Sequence, residues 1–216
     1  MSQKWEGKRL KTYKIHLIRH GITTANLEGT YCGVTDLPLC PEGAADLNRL
    51  AETYSYPFVD VIYCSPLLRA RQSAEILFPG CALELMDHLR EAGFGIYEGR
   101  SLAELKTDAE FQKWVSFGSG LVPPGAEPHD AFARRCVAGL SELAEDMMRR
   151  GLPSAAVVTH AGVIANILAS AAYPKKSVYD WQCIPGCGYT AIADPSLFLR
   201  QPVIEVVGYV PEDLEV

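Results

Sequence analysis

Three short apolar runs, YKIHLIR, FVDVIYC and AAVVT, are spread along the chain, and an amphipathic segment follows each. Runs this brief, rich in Val and Ile and bounded by breakers, read as strands buried on both faces. The segments between them carry the helical period. Behind Pro41, the residues Ala44, Leu47, Ala51 and Tyr54 recur at helical spacing, and Ser65-Pro66 offers an N-cap and first-turn proline for a helix through Leu77. Pro128 opens a long helix with the stripe Phe132, Cys136, Leu140, Leu143 and Met147, and Gly151 is its stop signal. Gly162 to Ala171 forms another helix, and GYTAIAD and PVIEVVGYV form a late pair of strands. Alternation of this kind predicts an α/β fold, a three-layer α/β/α sandwich whose central sheet is mostly parallel. No linker or repeat divides the 216 residues, so one domain is expected. Residues 101–127 break the pattern, being rich in Gly and Pro and carrying Phe111, Trp114 and Phe117. Two readings are open there: a lid-like insertion over a site, or aromatics that anchor a helix to the core.

The ends of the runs matter more than the runs. A parallel α/β sheet binds its ligands beyond the carboxyl ends of the strands. Read to their ends, the three runs become IHLIRHG, VIYCSPLLRA and AVVTHAG, finishing at Arg19-His20, Arg69 and His160. Arg69 stands in the first turn of a helix, where acids are favoured, so a surface role for it is unusual. Three such endings imply a convergent cationic pocket. A phosphoryl group fits that demand, because Arg donates to its oxygens in a bidentate fork and helix N-termini add backbone donors. A neutral imidazole can attack phosphorus and split one displacement into two, with no metal required.

Composition narrows the partners. Twenty Lys plus Arg against 26 Asp plus Glu gives a net charge of −6, which argues against nucleic acid but not against a small anion. Seven Cys without a CxxC pair indicate neither a disulfide framework nor a zinc ribbon, and point to a reducing compartment. The start, MSQKWEGKRLKTYK, lacks the apolar core of a signal peptide, and the longest apolar stretch, Val163 to Tyr173, is too short for a bilayer. A cytoplasmic protein that binds no membrane is expected. His16 and His20 are four apart but lie on a strand, so a metal site is not expected there. His88 and His129 are expected at the surface, and Cys183 and Cys187 as incidental thiols flanking a Pro185-Gly186 turn. No GxGxxG or GxxxxGK[ST] loop exists, which removes dinucleotide and P-loop chemistry.

RHGITTAN, followed in order by SPLLRARQSAE, LREAGFGIYEG, PPGAE and THAGVI, resembles the histidine phosphatase superfamily, in its phosphoglycerate mutase-like branch. The likeness runs from about Lys14 to Tyr189. It implies that His20 is the nucleophile that becomes phosphohistidine. Arg19, Arg69 and His160 would then bind the phosphoryl oxygens, and Asn26 would add a donor. Glu91 would protonate the leaving alcohol and afterwards activate water, work that needs a raised pKa. Gly33 falls where the family approaches substrate with backbone groups, and Thr23 matches the motif threonine that touches substrate or phosphate. The implied partner is a small-molecule phosphomonoester, with no cofactor. LREAGFGIYEG is more like the phosphatase members, including α-ribazole-phosphatase-type enzymes, than the ERHYG-type segment of bisphosphoglycerate-dependent mutases. A mutase is the rival within the same chemistry, and a catalytically silent phospho-ligand module is the rival outside it. Ile22, in place of an acidic residue, and Cys40, in place of a Ser or Thr cap, depart from the family pattern and put local packing and capping in question.

Overall fold

A computed structural model of the chain describes residues 12–116 and 120–213. The chain enters on β1 (Tyr13–Arg19), turns through the short α1 (Thr24–Glu28), and continues into α2 (Pro41–Thr53). It then forms β2 (Val61–Cys64), α3 (Leu68–Leu77) and β3 (Leu83–Leu85). Two short helices, α4 (Leu102–Leu105) and α5 (Ala109–Val115), precede the long α6 (His129–Arg150). After β4 (Ser154–Thr159) come α7 (Ala161–Ala171), β5 (Ala172–Tyr173), β6 (Gly188–Ala193), α8 (Pro195–Phe198) and β7 (Ile204–Val210). The strands form one sheet in the order β3-β2-β4-β1-β6-β7-β5. Its β3-β2-β4-β1 half is parallel, while β6 runs antiparallel to both β1 and β7. The expected α/β architecture with a mostly parallel sheet is what forms, and the late pair of strands are antiparallel neighbours.

Period-two alternation explains the three layers. On β1, Tyr13, Ile15 and Leu17 face one core with Leu140 and Leu143 of α6 and Ile164 and Leu168 of α7. Ile18 points the other way, into a second core with Ile62, Val158, Leu47 of α2 and Ala70 and Leu77 of α3. The stop at Gly151 is a left-handed cap (φ 69°) that returns its N–H to the end of α6. The start of α3 differs from expectation. Leu67, not Ser65, is its N-cap residue and offers no side-chain bond, while the Asp36 carboxylate accepts from Leu68 N at 2.6 Å. Ser65 is drawn elsewhere, because its hydroxyl meets the His160 imidazole at 2.8 Å.

Between residues 94 and 115, Tyr97, Leu105, Phe111 and Trp114 form a small core of their own. Phe111 and Trp114 are buried in it, whereas Phe117 lies outside the described residues. Among the described residues no helix is long and apolar enough to cross a membrane.

Candidate active site

Three parallel strands ending side by side build the site. Arg19 on β1 is in register with Thr159 on β4, and His20 N donates to Thr159 O at 2.9 Å. The two strands therefore run out together, into His20 and His160, whose rings lie 5.0 Å apart and tilted by 62°. Neighbouring β2 ends one step away, where Ser65 N donates to Val158 O, and the first turn of α3 then delivers Arg69. Arg69 is only 1% exposed. It donates Nη2 to Gly33 O at 2.7 Å, Nη1 to Thr35 O at 2.9 Å and Nε to His160 Nδ1 at 3.3 Å. Arg19 donates Nη1 to Cys183 O at 2.9 Å, and its buried Nε has no partner among the described residues. These partners are carbonyls and an imidazole, with no carboxylate among them. Cations withdrawn from water without a counter-charge are costly, so the pocket is built to receive an anion.

Hydrogen bonding fixes both tautomers. His20 Nδ1 lies 2.6 Å from Gly21 O, and a carbonyl only accepts, so Nδ1 carries the proton and Nε2 keeps a free lone pair. Burial, then the charge of Arg69 and that of Arg19, hold the His20 pKa down to about 3 against the opposing Gly21 bond. The imidazole is thus neutral at any ordinary pH. At His160 the pattern reverses: Arg69 donates to Nδ1, which leaves the proton on Nε2 to donate to Ser65 Oγ. Burial first, and the surrounding cationic groups second, push its pKa well below the usual histidine range.

Glu91 is held at both oxygens. Oε1 accepts from Ala92 N at 2.9 Å and Oε2 from Gly162 N at 3.0 Å. Arg135 fastens the segment from behind, donating to the carbonyls of His88, Arg90 and Glu91 while paired with Glu127. Burial raises the Glu91 pKa, overriding the two backbone donors and the two arginines that pull it down. The carboxylate reaches α7 only because position 162 is glycine: a Cβ there would stand 2.3 Å from Oε1. Gly162→Ala is expected to lower kcat on the order of 10²-fold by displacing this carboxylate. Steady-state kinetics beside a melting curve checks this, and an unchanged kcat would count against any role for Glu91.

Arg19, His20, Asn26 and Glu91 all line one open cleft of about 260 Å³, walled by Tyr31, Cys32, Phe94 and Leu102. Arg69 and His160 stand behind it, fully buried. Thr23 is buried too, and caps α1: its hydroxyl donates to Asn26 Oδ1 at 3.0 Å and accepts from Asn26 N, which leaves the Asn26 amide nitrogen for the cleft. Gly33 is placed off the cleft lining. Its N–H goes to Glu98 and its carbonyl to Arg69, and a Cβ there would fall 1.8 Å from Ala92 O. Glu98, Ser65, Asp36 and Ser73, which binds Gly21 N at 2.8 Å, are the partners that sequence reasoning did not single out. Ser65, Ser73 and Glu98 lie within the quoted blocks and Asp36 between two of them, but no periodicity marks them as site partners.

The remaining titratable candidates find ordinary partners. His16 meets Thr190 Oγ1 at 3.0 Å inside the sheet, and burial holds its pKa at about 4. His88 pairs with Glu142 at 2.8 Å, and His129 is stacked on Trp114 and half-buried there, not free at the surface. Among the described residues no group of three His, Cys, Asp or Glu side chains could hold a metal ion. Cys183 and Cys187 are free thiols.

Comparison with known proteins agrees with this geometry. The family model described as histidine phosphatase superfamily (branch 1) matches residues 15–193. The adenosylcobalamin/alpha-ribazole phosphatase of Salmonella typhi is 30% identical over 182 residues, covering 82% of this chain and 89% of that protein. A phosphoglycerate mutase structure from Thermus thermophilus superposes with a TM-score of 0.66 at 30% identity, over 94% of this chain and 99% of that one. A putative alpha-ribazole-5'-P phosphatase structure from Escherichia coli superposes with a TM-score of 0.77 at 23% identity, covering 90% of this chain and 94% of that one, a likeness of fold. A cationic pocket at the ends of three parallel strands and a family match across most of the chain give one conclusion: the protein belongs to branch 1 of the histidine phosphatase superfamily.

Proposed function

We propose that this protein is a metal-independent phosphomonoesterase that hydrolyses a small-molecule phosphate ester through a phosphohistidine at His20. The free Nε2 lone pair of His20, beside the buried Arg69 and the half-buried Arg19 guanidinium, neither bonded to a carboxylate, is the observation that carries the reading. In the first step Nε2 forms a bond to phosphorus as the bond to the leaving oxygen breaks, and the Glu91 carboxyl gives that oxygen its proton. Arg19, through its unpartnered Nε, and Arg69, through its two remaining N–H groups, stabilise the equatorial oxygens. The Asn26 amide adds a donor. The Nδ1–H bond to Gly21 O stabilises the charge that builds on the ring. In the second step the Glu91 carboxylate takes a proton from water, whose oxygen attacks phosphorus and returns His20 to its neutral form with release of orthophosphate. His160 braces Arg69 from behind, and contacts a phosphoryl oxygen only if its Nε2–H leaves Ser65. Thr23 and Gly33 contribute by shape, through the α1 cap and the grip on Arg69.

Hydrolysis is favoured over phosphoglycerate isomerisation by the cleft lining, in which Arg19 is the one permanent cation among the described residues. A phosphoglycerate brings a carboxylate as well as its phosphate and needs more. α-Ribazole 5'-phosphate is the first substrate to test, given the relatives' names, with residues 101–127 as the insertion that borders the cleft at Leu102. Seven free cysteines support a reducing, cytoplasmic setting. The test is orthophosphate release across ribazole, sugar and nucleotide phosphates with a chelator present. Release from at least one ester at an undiminished rate is expected. Efficient isomerisation of 3-phosphoglycerate without net release, or turnover abolished by the chelator, would reverse the assignment.

A further inference from the structure

Glu98 lies outside the cleft lining, yet its carboxylate collects more donors than any group in the site. It accepts from Gly33 N at 3.0 and 3.1 Å, Val34 N at 3.1 Å, Thr35 N at 3.4 Å, Thr35 Oγ1 at 2.7 Å and Phe94 N at 3.0 Å. The loop it gathers is the loop whose carbonyls hold Arg69, at Gly33 O and Thr35 O. One peptide unit does both. The Gly33 carbonyl accepts from Arg69 while the Val34 N–H of the same amide donates to Glu98. An anion at one end and a cation at the other polarise that amide in the same sense, so each bond strengthens its neighbour. The contact leaves no room for play, since a Cβ at Gly33 would stand 2.6 Å from Glu98 Oε1.

We propose that Glu98 is a positioning residue for phosphoryl transfer: through the Gly33–Val34 peptide it orients Arg69 towards the phosphoryl group. The proposal rests on Arg69 binding the phosphoryl group. A carboxylate that merely pinned a loop would serve stability alone. Here the same contacts set the direction of the guanidinium.

Glu98→Gln keeps the side chain's size but turns one acceptor oxygen into a donor facing backbone N–H groups. Orthophosphate affinity, measured by calorimetry on the folded variant, is expected to weaken on the order of 10- to 100-fold, the scale of a hydrogen bond to a charged group. kcat/KM for a phosphomonoester should fall in parallel. In an Arg69→Met background, Glu98→Gln should cost no further orthophosphate affinity, because the two act through one contact. Unchanged orthophosphate affinity beside a lowered Tm, or losses that simply add in the double variant, would overturn the proposal. If Glu98→Gln does not fold, Thr35→Val removes one donor from the same carboxylate. Weakened orthophosphate binding then supports the role, and unaltered binding refutes it. A wild-type protein that binds no orthophosphate would instead remove the phosphoryl reading itself.

Discussion

His20→Ala is expected to lower phosphate release on the order of 10⁴-fold or more while leaving orthophosphate binding in place. The proposed nucleophile disappears, but Arg19 and Arg69 remain, held by carbonyls of Cys183, Gly33 and Thr35 that do not depend on the imidazole. Binding and turnover should therefore separate, and an acid-labile phosphoryl adduct, trapped on the wild type, should be missing from the variant. Turnover at the wild-type rate would sink the mechanism. The same substitution has a second readout in acid. His16, His20 and His160 are neutral when folded, with pKa values of about 4, about 3 and well below 6.5. The unfolded chain binds protons at these positions below about pH 6.5, so their stability contribution is whole above that pH and is lost as pH falls towards 4. Each contributes a slope of about 1.4 kcal/mol per pH unit. Urea unfolding across that window should be shallower for His20→Ala by one proton's worth. A slope identical to wild type would mean that His20 is protonated in the fold.

The sequence was most informative where local chemistry decides the outcome. Arg19-His20 and His160 could be placed because a buried strand ends where its apolar run ends, and parallel neighbours end together. Gly151 could be placed because a helix stop needs only one residue with positive φ. Cys40 was a departure whose consequence turned out small: its sulfur accepts from Gly43 N at 3.3 Å and caps α2 as a hydroxyl would. What stayed hidden depends on groups far apart in the chain. The cap of α3 comes from Asp36, 32 residues earlier, and Ser65, a fitting cap by sequence, is diverted to an imidazole 95 residues away. Glu98 has no periodic signature, and its role exists only once the loops at 33 and 98 meet. Net charge was silent about the pocket for a similar reason. A total of −6 describes the surface, whereas the pocket gathers two guanidiniums from positions 50 residues apart.

Glu91→Gln should lower kcat for alkyl phosphates by about 10²- to 10⁴-fold, the range for loss of general acid–base catalysis. Because an alkoxide needs a proton to leave and a phenolate with an electron-withdrawing ring does not, the first step should suffer far less with an activated aryl phosphate. The second step has no such escape. Water still needs a base, so the variant should accumulate phosphohistidine from the aryl ester, giving a burst of phenol followed by slow release of phosphate. The pH profile carries the sign. Burial raises the Glu91 pKa above its ordinary 4.5, so the acid form needed for the first step persists into higher pH and is lost as pH rises through the shifted value. kcat/KM for an alkyl phosphate should therefore show an alkaline limb displaced upward from 4.5 that is absent in Glu91→Gln. His20, already neutral above about pH 3, cannot produce that limb, since rising pH changes nothing at its Nε2. Persistence of the limb in Glu91→Gln would assign the proton to another group. An intact Tm in the same variant would show that the loss is chemical, since the Gln side chain still offers one oxygen to Ala92 N or Gly162 N.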